Sequence, residues 1–239
     1  MSTPAVRELV APAIGTGASL TATTGAGTAV GDLLVLIHGY DYYAATNMLT
    51  PTGTAGTWTL QCTGDGGTNR THIKVWTRPV SSGGAQTVTV NSSGTNDATH
   101  FVNVYVLNGS TLTLAVDGAA GQNGTGGGTS HDCPSVSPTG ADDLLICAAG
   151  AGPDQNGDYT APSGMTKQNE LDNTPFSTMA TFTQTLSASG ATGTKSATFT
   201  ANEIYAAVSI AISGTAGGST PAPRPPVVST AAVQRAASW

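Results

Sequence analysis

The chain has 239 residues, a net charge of −6 and only 9% charged residues. So acidic and weakly charged a chain lacks the basic face that a phosphate backbone requires, so nucleic acid is excluded as a partner. No apolar run approaches the ~20 residues of a membrane span, and the opening MSTPAVRELVAPAIG has no basic leader before an apolar core, so neither a membrane segment nor a signal peptide is expected.

Gly and Thr interrupt nearly every candidate helix, which favours strands and turns. The first clear element is LLVLIHGYD, residues 33–41, an apolar run that reads as a strand covered on both faces. Its His-Gly ending is how α/β-hydrolases enter an oxyanion loop. That reading fails, because no Gly-x-Ser-x-Gly occurs in the chain and no amphipathic helices are present to build the fold. His38 and Asp41 then read as polar residues at a strand end. The loop GYDYYAATN, residues 39–47, carries Tyr40, Tyr42 and Tyr43 and is expected to be exposed and to contact a partner or a sugar face. A Pro51-Thr52-Gly53 turn follows. In HIKVWTR, Ile73 and Val75 share one face, while His72, Lys74, Trp76 and Arg78 share the other. Trp58 and Trp76 are expected to be packing residues, with a subunit contact left open for Trp76. TVTV at 87–90 and FVNVYVLNG at 101–109 alternate with period two, which predicts further strands.

The order of features then recurs. With Asp32 laid over Asp143, an offset of 111, GDLLVLIHGY covers DDLLICAAGA and PTG covers PSG. STMATFTQTL, TKSATFTANE and AAVSIAISG then answer the later strands of the first half. The runs Asn108-Gly109, Asn123-Gly124, GTGGG and Asn156-Gly157 read as turns between strands. These features predict an all-β, jelly-roll-like β-sandwich, residues 1–214, built from two homologous halves at about 19–109 and 130–214. Neither half has much bulky apolar mass, so each is expected to supply one sheet of a single sandwich, and tandem immunoglobulin-like domains are the weaker alternative.

No catalytic, cofactor or metal site is expected. Asp154, Asn156 and Asp158 open like a calcium loop, but the Gly comes fourth and the twelfth position is Met165, so a polar turn is the better reading. His131, Asp132 and Cys133 are adjacent on an extended chain and point to alternate faces, so they do not converge on one ion. Cys147 reads as a small core residue. A Cys62–Cys133 bridge stays open, but nothing supports the oxidising compartment it needs. Residues 215–239 form an extended Pro-rich C-terminal arm, with Pro221, Pro223, Pro225 and Pro226 disfavouring helix. Arg224 and Arg235 are its only charges, which gives it +2 and leaves −8 on the remainder. With Trp239 as an end anchor, the arm is expected to dock on an acidic neighbouring subunit.

Residues 10–214 resemble a family found in tailed phages of actinobacteria, through GDLLVLIHGY, PTGTAGTW, VWTRPV and QTVTVNSS…VNVYVLNG. The family's Pro-x-Gly-Trp turn is loosened here to Pro51, Gly53 and Trp58. The resemblance implies a minor tail or head-decoration component with a jelly-roll-like sandwich, located in the virion, with no catalytic residues. Its partners would be other virion subunits, including copies of itself. The alternative expectation is a carbohydrate- or host-surface-binding module acting on a host glycan.

Overall fold

The computed structural model describes residues 3–41, 45–54, 56–67, 70–93, 99–152, 157–173 and 177–216, with backbone only at 124 and 125. These residues form an all-β sandwich of antiparallel sheets, and no helix among them is long and apolar enough to cross a membrane. The first half contains β1 (Val6–Leu9), β2 (Ala13–Thr16), β3 (Ser19–Thr23), β4 (Leu33–Asp41), β5 (Thr52–Gly53), β6 (Thr59–Asp65), β7 (His72–Pro79), β8 (Thr87–Asn91) and β9 (Thr99–Leu107). Its large sheet runs β1-β9-β4-β7-β6, with β2 also on β9, and a small sheet runs β3-β8-β5. The second half contains β10 (Leu112–Cys133), β11 (Leu144–Ala151), β12 (Tyr159–Thr160), β13 (Thr166–Asn173), β14 (Ser177–Thr185) and β15 (Lys195–Ala216). Its sheet runs β10-β15-β11-β14-β13, with β12 on β15. Position by position, β15-β11-β14-β13 stands where β9-β4-β7-β6 stands in the first half.

Strand β4 shows why LLVLI is a continuous apolar run. Leu33, Val35 and Ile37 face the second half and pack with Ile146, Val208 and Ile210. Leu34 and Leu36 face the small sheet and pack with Trp58, Trp76, Val88 and Val90. A strand buried on both faces has no position left for a polar alternation. The expected division of β9 and β7 is observed: Phe101, Tyr105, Leu107, Ile73 and Val75 enter the seam between the halves, while Val102, Val104, Val106 and Trp76 enter the outer core. Each fully buried Leu, Ile or Val contributes about 1.5–3 kcal/mol of transfer free energy, so the seam is a main source of cohesion between the halves.

The layering differs from the expectation of one sheet per half. Each half also carries a second, outer layer. In the first half that layer is β3-β8-β5. In the second half the long strands themselves supply it. The β10–β15 register breaks around Gly128, and beyond the break Ser130–Cys133 pairs with Lys195–Thr198, while β12 pairs with Thr198 and Phe199. Cys133, Tyr159, Ala197 and Phe199 then close over Cys147, Ala149, Ala180 and Phe182 of the large sheet. Counting bulky residues underestimated this core, because alanines and cysteines on facing layers let the backbones come closer and still fill the space. Trp76 is buried at 6% exposure under the first outer layer, so it makes no subunit contact.

The Gly-rich stretch read as turns instead lies within β10, although the pairing with β15 is interrupted between Gly124 and Ser130. Glycine serves close approach there. A Cβ on Gly121 would stand 1.9 Å from the Thr63 carbonyl oxygen of β6, and one on Gly64 would stand 2.6 Å from the Ala207 carbonyl oxygen of β15. The two halves therefore meet backbone to backbone along β6 and β10. At the Pro51–Gly53 turn, Gly53 has φ 129° and a Cβ there would meet the Thr87 carbonyl oxygen at 2.1 Å, so only glycine fits. Strand β15 ends at Ala216, two residues past the expected end of the sandwich, and the arm beyond it lies outside the described residues.

Candidate functional site

Strand pairing gives the sandwich two unlike ends. At one end β4 finishes at Asp41 opposite Thr99, and β6 finishes at Asp65 opposite His72. In the second half β11 finishes at Ala151 opposite Thr178, and β13 finishes at Asn173 opposite Ser177. Polar contacts tie these two sets together: Arg70 Nη1 to Glu203 Oε1 at 3.3 Å, Asn173 Nδ2 donating to Thr99 Oγ1 at 2.7 Å, and the Asp65 amide donating to Asn123 Oδ1 at 2.9 Å. The strand ends Asp41, Asp65, His72, Thr99, Ala151, Asn173 and Ser177 therefore all lie at this end. At the other end Val6 and Leu33 both sit opposite Leu107, and Leu112 sits opposite Ala216. The first strand begins and β15 ends at this second end, which also carries the connections 24–32, 80–86, 108–111 and 186–194.

Tyr40, expected on an exposed loop, is instead a β4 residue with 0% exposure. Even-numbered β4 positions face the first outer layer, so alternation carries its ring inward, 5.1 Å from the His100 ring. It is not available to an external partner. Tyr42 and Tyr43 lie outside the described residues, as do Arg224, Arg235 and Trp239.

Beneath this end is a chain of buried imidazoles that the sequence did not single out as a unit. His100 Nε2 is 2.8 Å from the Gly17 carbonyl oxygen, which can only accept, so His100 carries its proton on Nε2. His100 Nδ1 then accepts from His38 Nε2 at 2.9 Å, and the rings stack at 5.2 Å and 10°. His38 Nδ1 faces no donor. Burial, then the charges of His100 and Lys74, hold the His38 pKa well below its ordinary value, and burial also lowers that of His100. In the second half His131 Nδ1 accepts from the Tyr159 hydroxyl at 2.7 Å, and its Nε2 donates to the Gly128 carbonyl oxygen at 3.0 Å. Its ring stacks on Tyr205 at 4.3 Å, and burial brings its pKa down to about 4. All four histidines are buried at 0% exposure, and His72 stands 2.9 Å from Asp65 Oδ1. The imidazoles of His38, His100 and His131, bonded to neighbouring strands, tie the layers together.

His131 and Cys133 do share the inward face, with Asp132 turned away to bond Ser130. No group of three or more His, Cys, Asp or Glu among the described residues is arranged to hold a metal ion. Asp154 and Asn156 lie outside those residues, and the Asp158 amide donates to Thr200 Oγ1 at 3.0 Å. Cys62 packs against the seam between the halves, whereas Cys133 is in the outer core of the second half, so a Cys62–Cys133 bridge is ruled out by placement.

The two aspartates matched at offset 111 have opposite surroundings. Asp32 is paired with Arg7, whereas Asp143, at 0% exposure, has no basic partner and shares a hydrogen bond with the Asp117 carboxylate. Burial first, then that bond and the charges of Asp117 and Asp142, push the Asp143 pKa up to about 6. Asp117 is held down by hydrogen bonds from Thr139 and Gly140, so the shared proton resides on Asp143. The folded state binds this proton more tightly than the unfolded chain, so this term weakens stability as pH rises from about 4 to about 6 and is constant above. Asp143→Asn is expected to be more stable than the parent by about 1–2 kcal/mol at pH 8, after allowance for solvent screening near the surface, and equal to it at pH 4. Urea unfolding of both proteins at the two pH values measures this, and an equal difference at both would remove the proton-sharing account.

A scan against protein-family models, a search of curated proteins and a search of solved structures each returned no match.

Proposed function

We propose that the chain is a non-enzymatic structural subunit of a bacteriophage virion, a minor tail or capsid decoration protein. The observation that supports this most is the place where the last strand ends. Strand β15 ends at Ala216, so the arm begins at the end of the sandwich opposite the one where β4, β6 and β11 finish. A subunit tethered at one end and presenting loops at the opposite end suits attachment to a particle surface. The weakly charged surface suits subunit contacts, because little charge must be desolvated to form them. The arm's +2 against the −8 of the remainder adds electrostatic attraction to a neighbouring copy. The resemblance in GDLLVLIHGY and VWTRPV supports the same reading.

Deleting residues 217–239 is expected to leave the melting transition unchanged and to reduce incorporation into the native particle at least tenfold. Incorporation of the full chain should weaken as salt rises, since surface attractions are screened within about 8 Å at physiological ionic strength. Normal incorporation of the truncated chain would overturn the tethering role.

A second reading, a host-surface glycan-binding module, is favoured by the place of Tyr42 and Tyr43 in the sequence between β4 and β5, a connection at the end opposite Ala216, since sandwich domains present binding loops at one end. Saturable binding of the full chain on a glycan array, lost in Tyr42→Ala/Tyr43→Ala, would establish it. Absence of binding would leave the tethered subunit alone.

A further inference from the structure

Cys133 closes β10 in the outer layer of the second half, and Cys147 lies in β11 of its large sheet. Both are free thiols at 0% exposure in the same core. Alternation brings them together: His131 and Cys133 share the inward face of β10, while Leu145, Cys147 and Ala149 share the facing side of β11. The Cys133 thiol donates to the carbonyl oxygen of Ala148, the residue after Cys147, at 3.5 Å. The Cys147 sulfur is 3.3 Å from Ser209 Oγ, and each thiol is the side chain that most perturbs the ionisation of the other. The third cysteine, Cys62, sits on the opposite face of the second sheet, against the seam, where its sulfur lies 3.9 Å from the Ser209 carbonyl oxygen.

We propose that Cys133 and Cys147 are a latent disulfide that, under oxidising conditions, clasps the outer layer of the second half to its large sheet. Two S–H bonds break and one S–S bond forms. The two electrons and two protons pass to a disulfide oxidant such as glutathione disulfide, whose own S–S bond breaks to give two thiols. Cys147 is the attacking sulfur. Burial opposes its ionisation, but hydrogen bonds from Cys133 and Ser209 and the charge of Lys195 outweigh that and lower its pKa. Cys133 is pushed the other way by its bond to Cys147 and by burial, so it serves as the resolving thiol that displaces glutathione from Cys147. Burial of both sulfurs confines the reaction to folding or to opening of the outer layer, whose far edge is the two-residue strand β12.

The test is refolding of the full chain in a glutathione redox buffer, followed by alkylation and mass spectrometry, so that slow access to a closed core plays no part. The expected product has lost two of its three thiols. Cleavage between Asp142 and Asp143 leaves the fragments joined until reduction, and Cys62 is alkylated throughout. Cys62→Ser should behave identically, and Cys147→Ser should show no intramolecular link. Closing a loop of this length should raise the melting temperature of the oxidised form by roughly 5–10 °C over the reduced form. Three free thiols after refolding, or a link that includes Cys62, would overturn the proposal.

Discussion

Gly121→Val is expected to remove at least about 3 kcal/mol of stability, and enough in practice to leave little folded protein. The position does not need glycine for its backbone angle. It needs glycine because a Cβ would lie 1.9 Å from the Thr63 carbonyl oxygen and 2.3 Å from its carbon, both main-chain atoms of β6. A clash with a flexible side chain can be relieved by a rotamer change. A clash between two strands is relieved only by moving a sheet, and here that means opening the seam lined by Ile37, Ile73, Ile146 and Val208. Gly126→Val is the control, because nothing lies within 4 Å of a Cβ there, and β-branched valine suits an extended backbone. It should fall within about 0.5 kcal/mol of the parent. Urea unfolding followed by far-UV circular dichroism reads both. If Gly121→Val came within 1 kcal/mol of the parent, the close crossing of β6 and β10 would be refuted.

The same crossing explains what could and could not be read from the residues. The apolar run at 33–37 and the alternation in FVNVYVL are dictated by burial, so the strands and their faces were legible. The stretch GAAGQNGTGGG carries turn residues for a different reason. It is a strand whose glycines permit contact with β6 and then a bend near Gly128, and neither requirement leaves a period in the sequence. The outer layers were hidden for a related reason. Strands of two residues, β5 and β12, are too short to show alternation, and the inward positions of β3 and β15 include Ala22 and Ala197, which no hydropathy pattern separates from the surface. Tyr40 looked like the start of a loop because Gly39-Tyr40-Asp41 resembles turn chemistry. The strand continues through it because His72 and His100 flank it on both sides. Which strand ends share one end of the sandwich depends on which strands pair, so it had no local signature at all.

Arg7→Ala is expected to cost about 3 kcal/mol, although Arg7 lies near the amino terminus on a four-residue strand. Surface ion pairs usually contribute under about 1 kcal/mol, and the difference here is the burial of one partner. The Asp32 side chain is at 0% exposure, while that of Arg7 is at 27%. Arg7 Nε lies 2.8 Å from Oδ2 and its Nη2 3.1 Å from Oδ1, a two-point contact that holds the guanidinium plane. Nη2 also donates to Asn108 Oδ1 at 2.8 Å, so the same side chain ties β1 to the turn after β9. Removing Arg7 leaves a buried carboxylate with only the amides of Ala29, at 2.9 Å, and Gly109, at 3.0 Å. The loss is therefore mainly the charge stranded on Asp32, and a neutral residue there should relieve it. Arg7→Ala/Asp32→Asn should recover at least about 1 kcal/mol of what Arg7→Ala alone removes, a coupling that a double-mutant cycle isolates. Asp143 shows how a buried aspartate at the matching position fares without an arginine: its pKa is pushed up to about 6. Guanidinium unfolding at pH 7 of the parent, both single variants and the double variant decides the matter. A loss below about 0.5 kcal/mol for Arg7→Ala, or no recovery in the double variant, would show that Asp32 is held by its backbone donors and not by the ion pair.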